Sequence, residues 1–322
     1  MNYRILAISI IALALIFISC DDKPTDPVEL KITSITPNSG FIGDTVTISG
    51  NSFGTNQDTS YVLFPLAKGS GIKNWSNTKI VLKVPVGAKS GKVSVTVNGV
   101  KSNEVDFIVK VRVPDNKVID VDGNLYNIKS ICDRIWMTEN LNVGHYRNGD
   151  LIPEVKDPTE WASLSTGAWC YYNNDPEMGA IYGKLYNWYA VNDPRGLAPD
   201  GWHIPTNEEW TELMDSLGGE LLAGGKLKRT GTIEVGDGLW FSPNEGATNE
   251  TGFSALPGGF RRYDNYDGKF YAIGGFGYWW SSTEYEYDAI DAWARELFSS
   301  YSKFSRYFYN KGNGYSVRCI KD

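Results

Sequence analysis

Between residues 31 and 110, apolar and polar residues alternate in short runs separated by clusters of Gly, Asn and Ser. The runs read ITSI, TVTISG, YVLF, KIVLKV, KVSVTV and EVDFIV. Alternation with a period of two, rich in β-branched residues, is typical of strands that bury one face. Strands at this regular spacing predict a small all-β sandwich over residues 31–110. The stretch VRVPDNK, residues 111–117, is the predicted linker that follows it.

The pattern changes from residue 118 to residue 322. This stretch predicts a hairpin over 118–131 with its turn at Asp122-Gly123, and a helix over 183–196 that ends at Asn192-Asp193-Pro194. Alternating runs at 278–282, 292–298 and 315–322 predict strands. The mixture indicates an α+β domain with much irregular structure.

The stretch GWHIPTNEEWTEL, residues 201–213, holds one of the two histidines of the chain and raises the question of catalysis. Thr206 and Glu209 have the spacing of a capping box, which predicts a helix start. Apolar residues then recur with helical period until Gly218-Gly219. Pro205 excludes the helical HExxH arrangement of a zinc protease, so His203 is interpreted as structural. The sequence therefore predicts neither catalytic residues nor a metal or cofactor site here.

The first residues predict an export signal. Arg4 precedes an apolar run, Ile5 to Ile18, that is too short to cross a bilayer as a helix. The run ends in Ile-Ser-Cys, which resembles a bacterial lipobox. Residues 1–19 are therefore the predicted lipoprotein signal peptide, Cys20 the lipidated anchor to the membrane, and residues 20–30 the anchor and tether. The acidic Asp21-Asp22 resembles a signal for export to the surface of the outer membrane.

Charge limits the expected partners of the chain, and cysteine content limits its possible disulfides. Residues 29–110 carry a net charge of +4 and residues 111–322 a net charge of −10. The larger part therefore repels phosphate groups, and nucleic acid is not an expected partner. Besides Cys20, the chain has Cys132, Cys170 and Cys319, which outside the cytoplasm allow one disulfide with three possible pairings.

Two family resemblances follow from motifs. TPNSG and GNSFG, at residues 36–40 and 50–54, resemble the immunoglobulin-like IPT/TIG domain, whose glycines occupy tight corners of positive φ. Residues 118–322 resemble the FISUMP (Fib_succ_major paralogous) domain of bacterial secreted and lipid-anchored proteins. The motifs that carry this second resemblance are, in order, IWMTENLN, WCYYNND, YGKLYNWYAV, GWHIPTNEEW, GFSALPGGFRR, GYWWSSTE and SVRCIKD.

The FISUMP resemblance implies a fold related to C-type lectins and to formylglycine-generating, sulfatase-modifying enzymes, without a settled activity. The family often has Gly at the position of Cys132 and Cys at the position of Ala198. This chain has Ala198 instead of that cysteine, which leaves the disulfide partner of Cys319 open. Cys170, which lies within the well-matched WCYYNND motif, is the first choice. The paired cysteines of the formylglycine-generating enzymes and the calcium motifs of sugar-binding lectins are not found in the sequence.

Aromatic residues supply the candidate binding surface. Residues 111–322 contain 10 Trp, 17 Tyr and 8 Phe, and rings beside polar tips suit a glycan or protein ligand. The candidates are Tyr263, Tyr266, Tyr278, Trp279, Trp280 and Tyr285. The leading hypothesis is non-catalytic adhesion to a carbohydrate or a surface protein by a lipid-anchored, surface-exposed outer-membrane protein. The alternatives are an enzyme of the sulfatase-modifying type and a purely structural envelope component.

Overall fold

A computed structural model describes residues 29–263 and 268–322. The chain divides into two compact units with their boundary between Arg112 and Val113. The predicted signal peptide, Cys20 and Tyr266 lie outside the described residues. Among the helices of the described part, none has the length and apolar character required to cross a membrane.

The first unit contains two sheets that enclose one apolar core. Its strands are β1 (Lys31–Thr36), β2 (Ser39–Phe41), β3 (Thr45–Asn51), β4 (Tyr61–Phe64), β5 (Ala67–Lys68), β6 (Ser70–Ser76), β7 (Lys79–Lys83), β8 (Gly91–Val97), β9 (Val100–Lys101) and β10 (Val105–Lys110). One sheet has the order β1-β3-β7-β6, and the other has β2-β10-β8-β4-β5 with β9 beside β8. All six predicted strands are present, and alternate residues such as Val46 and Ile48 fill the core.

Two glycines of the GNSFG motif have different roles. Gly54 has a φ of +82°, as the resemblance implies. Gly50 instead allows close packing, because an added Cβ would lie 2.1 Å from the Lys31 carbonyl oxygen and 2.4 Å from the Phe53 ring. Gly50 does not have a positive φ, so that part of the expectation was wrong. The strand instead needs a residue without a side chain at this position.

The second unit is rich in strands with short helices between them. Its strands are β11 (Lys117–Ile119), β12 (Leu125–Ile131), β13 (Arg134–Met137), β14 (Trp169–Cys170), β15 (Leu185–Tyr186), β16 (Trp202–His203), β17 (Phe260–Arg261), β18 (Phe270–Tyr271), β19 (Phe276–Glu284), β20 (Asp291–Phe298), β21 (Phe304–Asn310) and β22 (Ile320–Lys321). Its helices are α1 (Pro158–Trp161), α2 (Pro176–Tyr182), α3 (Trp188–Val191), α4 (Asn207–Ser216) and α5 (Glu220–Leu227), and a 3-10 turn spans Tyr172–Asn174. The chain is thus mostly β.

The larger sheets are β11-β12-β13-β22-β16 and the antiparallel β19-β20-β21. The predicted 118–131 hairpin is confirmed by β11 and β12, and α4 is the predicted capped helix. The predicted helix over 183–196 was wrong in extent: Leu185–Tyr186 pairs with Trp169–Cys170, which leaves only the short α3 as helix. Cross-strand pairing overrode the local helical pattern.

The predicted disulfide between Cys170 and Cys319 does not form, and all three cysteines of the described part are free. Cys170 lies in the apolar cluster around Trp161, whereas Cys319 lies in a separate cluster with Tyr126 and Met137. Burial raises the pKa of the Cys170 thiol to about 12. The Cys170 and Cys319 thiols therefore serve as small apolar core groups.

The third cysteine, Cys132, is exposed at the tight turn between β12 and β13, where its φ is +49° and that of Asp133 is +64°. The left-handed backbone there favours glycine, so Cys132 and Asp133 hold a conformation that is unusual for their residue types.

Buried cations fasten the irregular segments of the second unit. Lys228, Arg261 and Arg318 are each fully buried. The Lys228 ammonium donates to the carbonyls of Glu245, Phe298 and Tyr301 at 2.8–2.9 Å. The Arg261 guanidinium donates to the carbonyls of Gly268, Val155 and Lys156 at 2.5–2.9 Å. Backbone carbonyls of loops and of the end of β20 are thus bound by buried cations.

Arg318 is the most connected of these cations. Its guanidinium donates to the Asn140 side-chain oxygen at 2.7 Å and to the carbonyls of Met137, Phe253 and Ser254 at 2.8–3.2 Å. It also lies 4.5 Å from the centre of the Phe253 ring. Arg318 therefore connects the end of β13 to the 253–254 segment.

Candidate functional site

The predicted helix cap is confirmed, and it belongs to a hydrogen-bonded scaffold. The Thr206 hydroxyl accepts from the Glu209 amide at 3.2 Å, and the Glu209 carboxylate accepts from the Thr206 amide at 3.0 Å. Arg134 on β13 also donates to Glu209, at 2.9 Å. Burial raises the pKa of the Glu209 carboxyl, but the Thr206 amide, His203 and Arg134 outweigh it and hold that pKa below its ordinary value. The ionised carboxylate therefore anchors α4.

Both ring nitrogens of His203 lie against carboxylates. Nδ1 is 2.6 Å from Asp322 Oδ1, and Nε2 is 3.0 Å from Glu209 Oε2. A general base needs a nitrogen that can reach a substrate proton, and neither nitrogen is open to one in this arrangement. The geometry is that of the structural histidine that the sequence predicts.

His145 is the other histidine. It is partly exposed, and its Nδ1 lies 2.6 Å from Asp122 Oδ1. Asp122 also accepts from the Gly144 amide, so the pair closes a local turn. Across residues 29–263 and 268–322, no group of three or more His, Cys, Asp or Glu side chains is placed to hold a metal ion.

The predicted ligand surface at Tyr278, Trp279 and Trp280 is wrong. Tyr278 is 8% exposed, and the two tryptophans are 0% exposed. The Trp279 indole donates to Asn140 at 3.0 Å on one side of β19, and the Trp280 indole donates to the Tyr186 carbonyl at 2.8 Å on the other. Alternation does place successive rings on opposite faces, but both faces of β19 are covered by apolar core.

Tyr285 belongs to a group of half-buried and exposed rings at the ends of β19, β20 and β21. We define the aromatic platform as Tyr285, Tyr287, Trp293, Arg306 and Phe308. The Tyr285 and Phe308 rings stack at 4.0 Å with 7° between their planes, and Trp293 stands edge-on to Tyr285 at 5.0 Å. Tyr287 is 81% exposed.

Strand register explains why these rings meet. Trp293 on β20 lies directly opposite Phe308 on β21, and such cross-strand neighbours share one face of a sheet. The Arg306 guanidinium lies 4.7 Å from the centre of the Trp293 ring. The alternating strings DAWAR and FSRYFYN carry the signal for Trp293 and Phe308, but sequence reasoning missed both residues because it concentrated on the adjacent rings of 278–280.

The platform has an acidic rim. The Trp293 indole donates to Glu286 at 3.0 Å. Partial desolvation, together with the charges of Glu286, Asp291 and Asp288 and the neighbouring Tyr287, raises the pKa of the Tyr285 phenol. Flat apolar rings next to carboxylate acceptors can hold a polyhydroxylated ring by stacking and by hydrogen bonds from its hydroxyls.

Tyr263 is not part of this group in the described contacts. Its ring lies against Gly312, where an added Cβ would lie 2.0 Å from the ring, and its amide donates to the Asn313 side-chain oxygen. Tyr263 therefore has a packing role, and the packing explains the glycine at position 312.

Apart from the aromatic platform, the second unit has a cleft of 510 Å³, which is bordered by β12, by the segment after β13 and by α2. Its polar lining includes Asn124, Asn127, Glu139, Asn142 and Arg229. The Glu139 carboxylate accepts from the Asn127 amide at 2.7 Å and from the Asn127 side chain. That carboxylate is thus held by the β12 backbone, and the cleft combines fixed amides with the exposed cation of Arg229.

Comparison with known families defines the class of the chain as a two-domain protein. Residues 30–109 match the IPT/TIG domain, and residues 128–321 match the Fibrobacter succinogenes major domain. The second match spans more than half of the chain. The chain therefore belongs to the Fib_succ_major family, with an IPT/TIG domain before the family domain.

No curated protein matches the chain. Solved structures give weak similarities. A γ-CGTase from alkalophilic Bacillus clarkii is 35% identical over 25% of this chain and 12% of its own, with a TM-score of 0.23. Auxiliary nutrient binding proteins from Bacteroides ovatus and Bacteroides thetaiotaomicron are 15% and 10% identical. They cover 40% and 92% of this chain and 44% and 98% of their own, with TM-scores of 0.22 and 0.24. The chain thus spans less than half of the first two, and scores at this level establish no shared fold or function.

Proposed function

We propose that this chain is a lipid-anchored outer-membrane protein of the cell surface that binds glycans without catalysis. In this proposal Cys20 carries the lipid, the IPT/TIG domain acts as a stalk, and the family domain has a C-type lectin-like fold. The aromatic platform is the binding surface.

The observation that carries the proposal is the cluster of Tyr285, Trp293 and Phe308, only half-buried, beside the exposed Tyr287. Nine of the ten tryptophans in residues 113–322 are buried, and Trp293 is the exception. The four rings lie at the surface, with the carboxylates of Glu286, Asp288 and Asp291 near Tyr285. Aromatic and arginine side chains at a surface are typical of binding sites. The proposal commits to a glycan because the carboxylate rim suits hydroxyl donors.

A retention assay on insoluble polysaccharides tests this proposal. We expect the purified chain to bind at least one glycan of a panel, and Trp293→Ala and Tyr287→Ala to weaken that binding about tenfold, or about 1.4 kcal/mol. Tyr61→Ala is the matched control, because Tyr61 is a half-buried sheet residue of the first unit with the Lys68 ammonium 4.3 Å from the centre of its ring.

Two results would count against the proposal. Failure to bind any glycan would refute glycan binding, and an unchanged affinity of the Trp293→Ala variant would show that the platform is not the site. Binding of a protein ligand alone, sensitive to Trp293→Ala, would assign the platform to a protein partner instead.

A further inference from the structure

A groove of 610 Å³ lies at the turn between β20 and β21. Three carboxylates and three aromatic rings contribute to its lining: Glu220, Glu245, Glu296, Phe298, Tyr301 and Tyr307. The groove thus combines apolar walls with negative charge, a combination that differs from the amide-lined cleft.

Glu296 is the unusual member of this lining. It is 8% exposed, and its carboxylate accepts a hydrogen bond from the Tyr309 hydroxyl at 2.5 Å. No cation forms an ion pair with it among residues 29–263 and 268–322. Burial raises the pKa of Glu296, against the lowering effects of Tyr309 and Lys303. Acidic side chains this deeply buried are normally paired with a cation.

The two cations of the lining are engaged elsewhere. The Lys303 ammonium lies 2.8 Å from the Glu220 carboxylate. The Arg306 guanidinium lies over the Trp293 ring of the platform. Within the described part of the chain, the carboxylates of Glu245 and Glu296 are therefore left without a cationic partner, and the groove retains negative charge.

The walls of the groove suit an organic cation. Tyr301 is 61% exposed and Tyr307 is 51% exposed, and Tyr301 stands edge-on to Phe298 at 6.1 Å. Aromatic faces attract ammonium groups, and the attraction grows when the cation leaves water. A buried carboxylate together with exposed rings in one groove is complementary to a protonated amine in both charge and polarity.

Tyr307 connects this groove to the aromatic platform. Its ring stacks on the platform ring of Phe308 at 5.0 Å with 11° between their planes, and it also lines the groove. A glycan held on the platform therefore has a continuous aromatic path to Glu296.

We propose that the groove binds the protonated amino group of an amino sugar, with Glu296 as its counter-ion and Tyr301 and Tyr307 as its walls. This inference rests on the proposed glycan binding and specifies the class of glycan: one that carries free, unacetylated amino groups. A lysine side chain of a protein presents the same ammonium group, so the test includes it as a competing ligand.

Isothermal titration calorimetry with four probes tests the inference on the full chain. The probes are β-1,4-linked oligomers of glucosamine, of N-acetylglucosamine and of glucose, all of equal length, and a lysine-rich peptide. We expect the glucosamine oligomer to bind about tenfold more tightly than the two uncharged oligomers. Glu296→Gln should remove this preference, because glutamine keeps the shape and loses the charge.

Tyr301→Leu is the second variant. Because Tyr301 is exposed, the variant should keep its fold, which thermal unfolding checks. It should reduce the affinity for the glucosamine oligomer about threefold. Glu250→Gln is the control, because Glu250 lies outside the groove and pairs with Lys226 at 3.1 Å; it should leave the preference unchanged.

The outcomes separate the two proposals. Equal affinity for all three oligomers, or an unchanged preference in Glu296→Gln, would overturn the amino-sugar inference and leave glycan binding standing. Failure of all three oligomers to bind, in a chain that also binds no other glycan, would overturn both. Tighter binding of the peptide than of the glucosamine oligomer would also overturn the inference.

Discussion

Replacing Arg318 by methionine tests whether buried cations hold the second unit together. The side chain is fully buried, and its guanidinium donates to four oxygen acceptors. Methionine fills much of the same volume but donates no hydrogen bond. Three of the four acceptors are main-chain carbonyls, which no side-chain substitution removes, so they would remain buried without their donor.

The expected loss of stability follows because the donor is removed while its carbonyl acceptors stay. Burial disfavours the charge itself, and it lowers the pKa of Arg318 to about 9. A buried hydrogen-bond acceptor that loses its donor costs about 1–3 kcal/mol. Three carbonyls lose this donor, and removal of the charge, which burial disfavours, offsets part of that cost. We expect Arg318→Met to lower the free energy of unfolding by about 4 kcal/mol.

Urea unfolding followed by tryptophan fluorescence measures this loss. Ten of the eleven tryptophans lie in residues 113–322, so the signal reports mainly on the second unit. Arg229→Met is the matched control, since Arg229 is exposed, and it should change the free energy by no more than about 0.5 kcal/mol. A loss below about 1 kcal/mol in Arg318→Met would refute the reasoning.

Three further predictions use other parts of the chain. Because burial raises the folded-state pKa of Glu296, the folded chain loses stability as pH rises through that pKa. Glu296→Gln should therefore increase the melting temperature at about pH 8 but not at about pH 4; equal shifts at both pH values would contradict this. Gly50→Ala should destabilise the first unit by about 2–3 kcal/mol in calorimetry, because its Cβ would meet the Lys31 carbonyl, and an unchanged transition would contradict the packing argument. Cys20→Ser should release the chain from the membrane fraction of its host, and retention of the variant would exclude the lipid anchor.

Local patterns in the sequence predicted the elements that depend on neighbouring residues. Three predictions follow from spacing within fourteen positions or fewer: the capping box of Thr206 and Glu209, the 118–131 hairpin and each of the six strands of the first unit. The helix over 183–196 failed because Leu185 and Tyr186 pair with a strand about fifteen residues earlier. No local pattern carries that contact.

The candidate site was predictable only in part for the same reason. Tyr285 was identified because aromatic and acidic residues cluster around it in the sequence. Whether a ring is exposed, however, depends on which residues pack over its strand. Trp279 and Trp280 are each buried in an apolar core, on opposite faces of β19, whereas Trp293 on β20 is only half-buried. The carboxylate of Glu296 could not be recognised from sequence, because its burial arises from the register of three strands.

The cations that bind loop carbonyls have a consequence for divergence among related chains. Every residue type offers the same carbonyl oxygen, so Lys228, Arg261 and Arg318 impose few requirements on which side chains the bound loops carry. Mutations can therefore accumulate in these loops while their paths stay fixed. Such an arrangement lets the loop sequences change without rebuilding the interior.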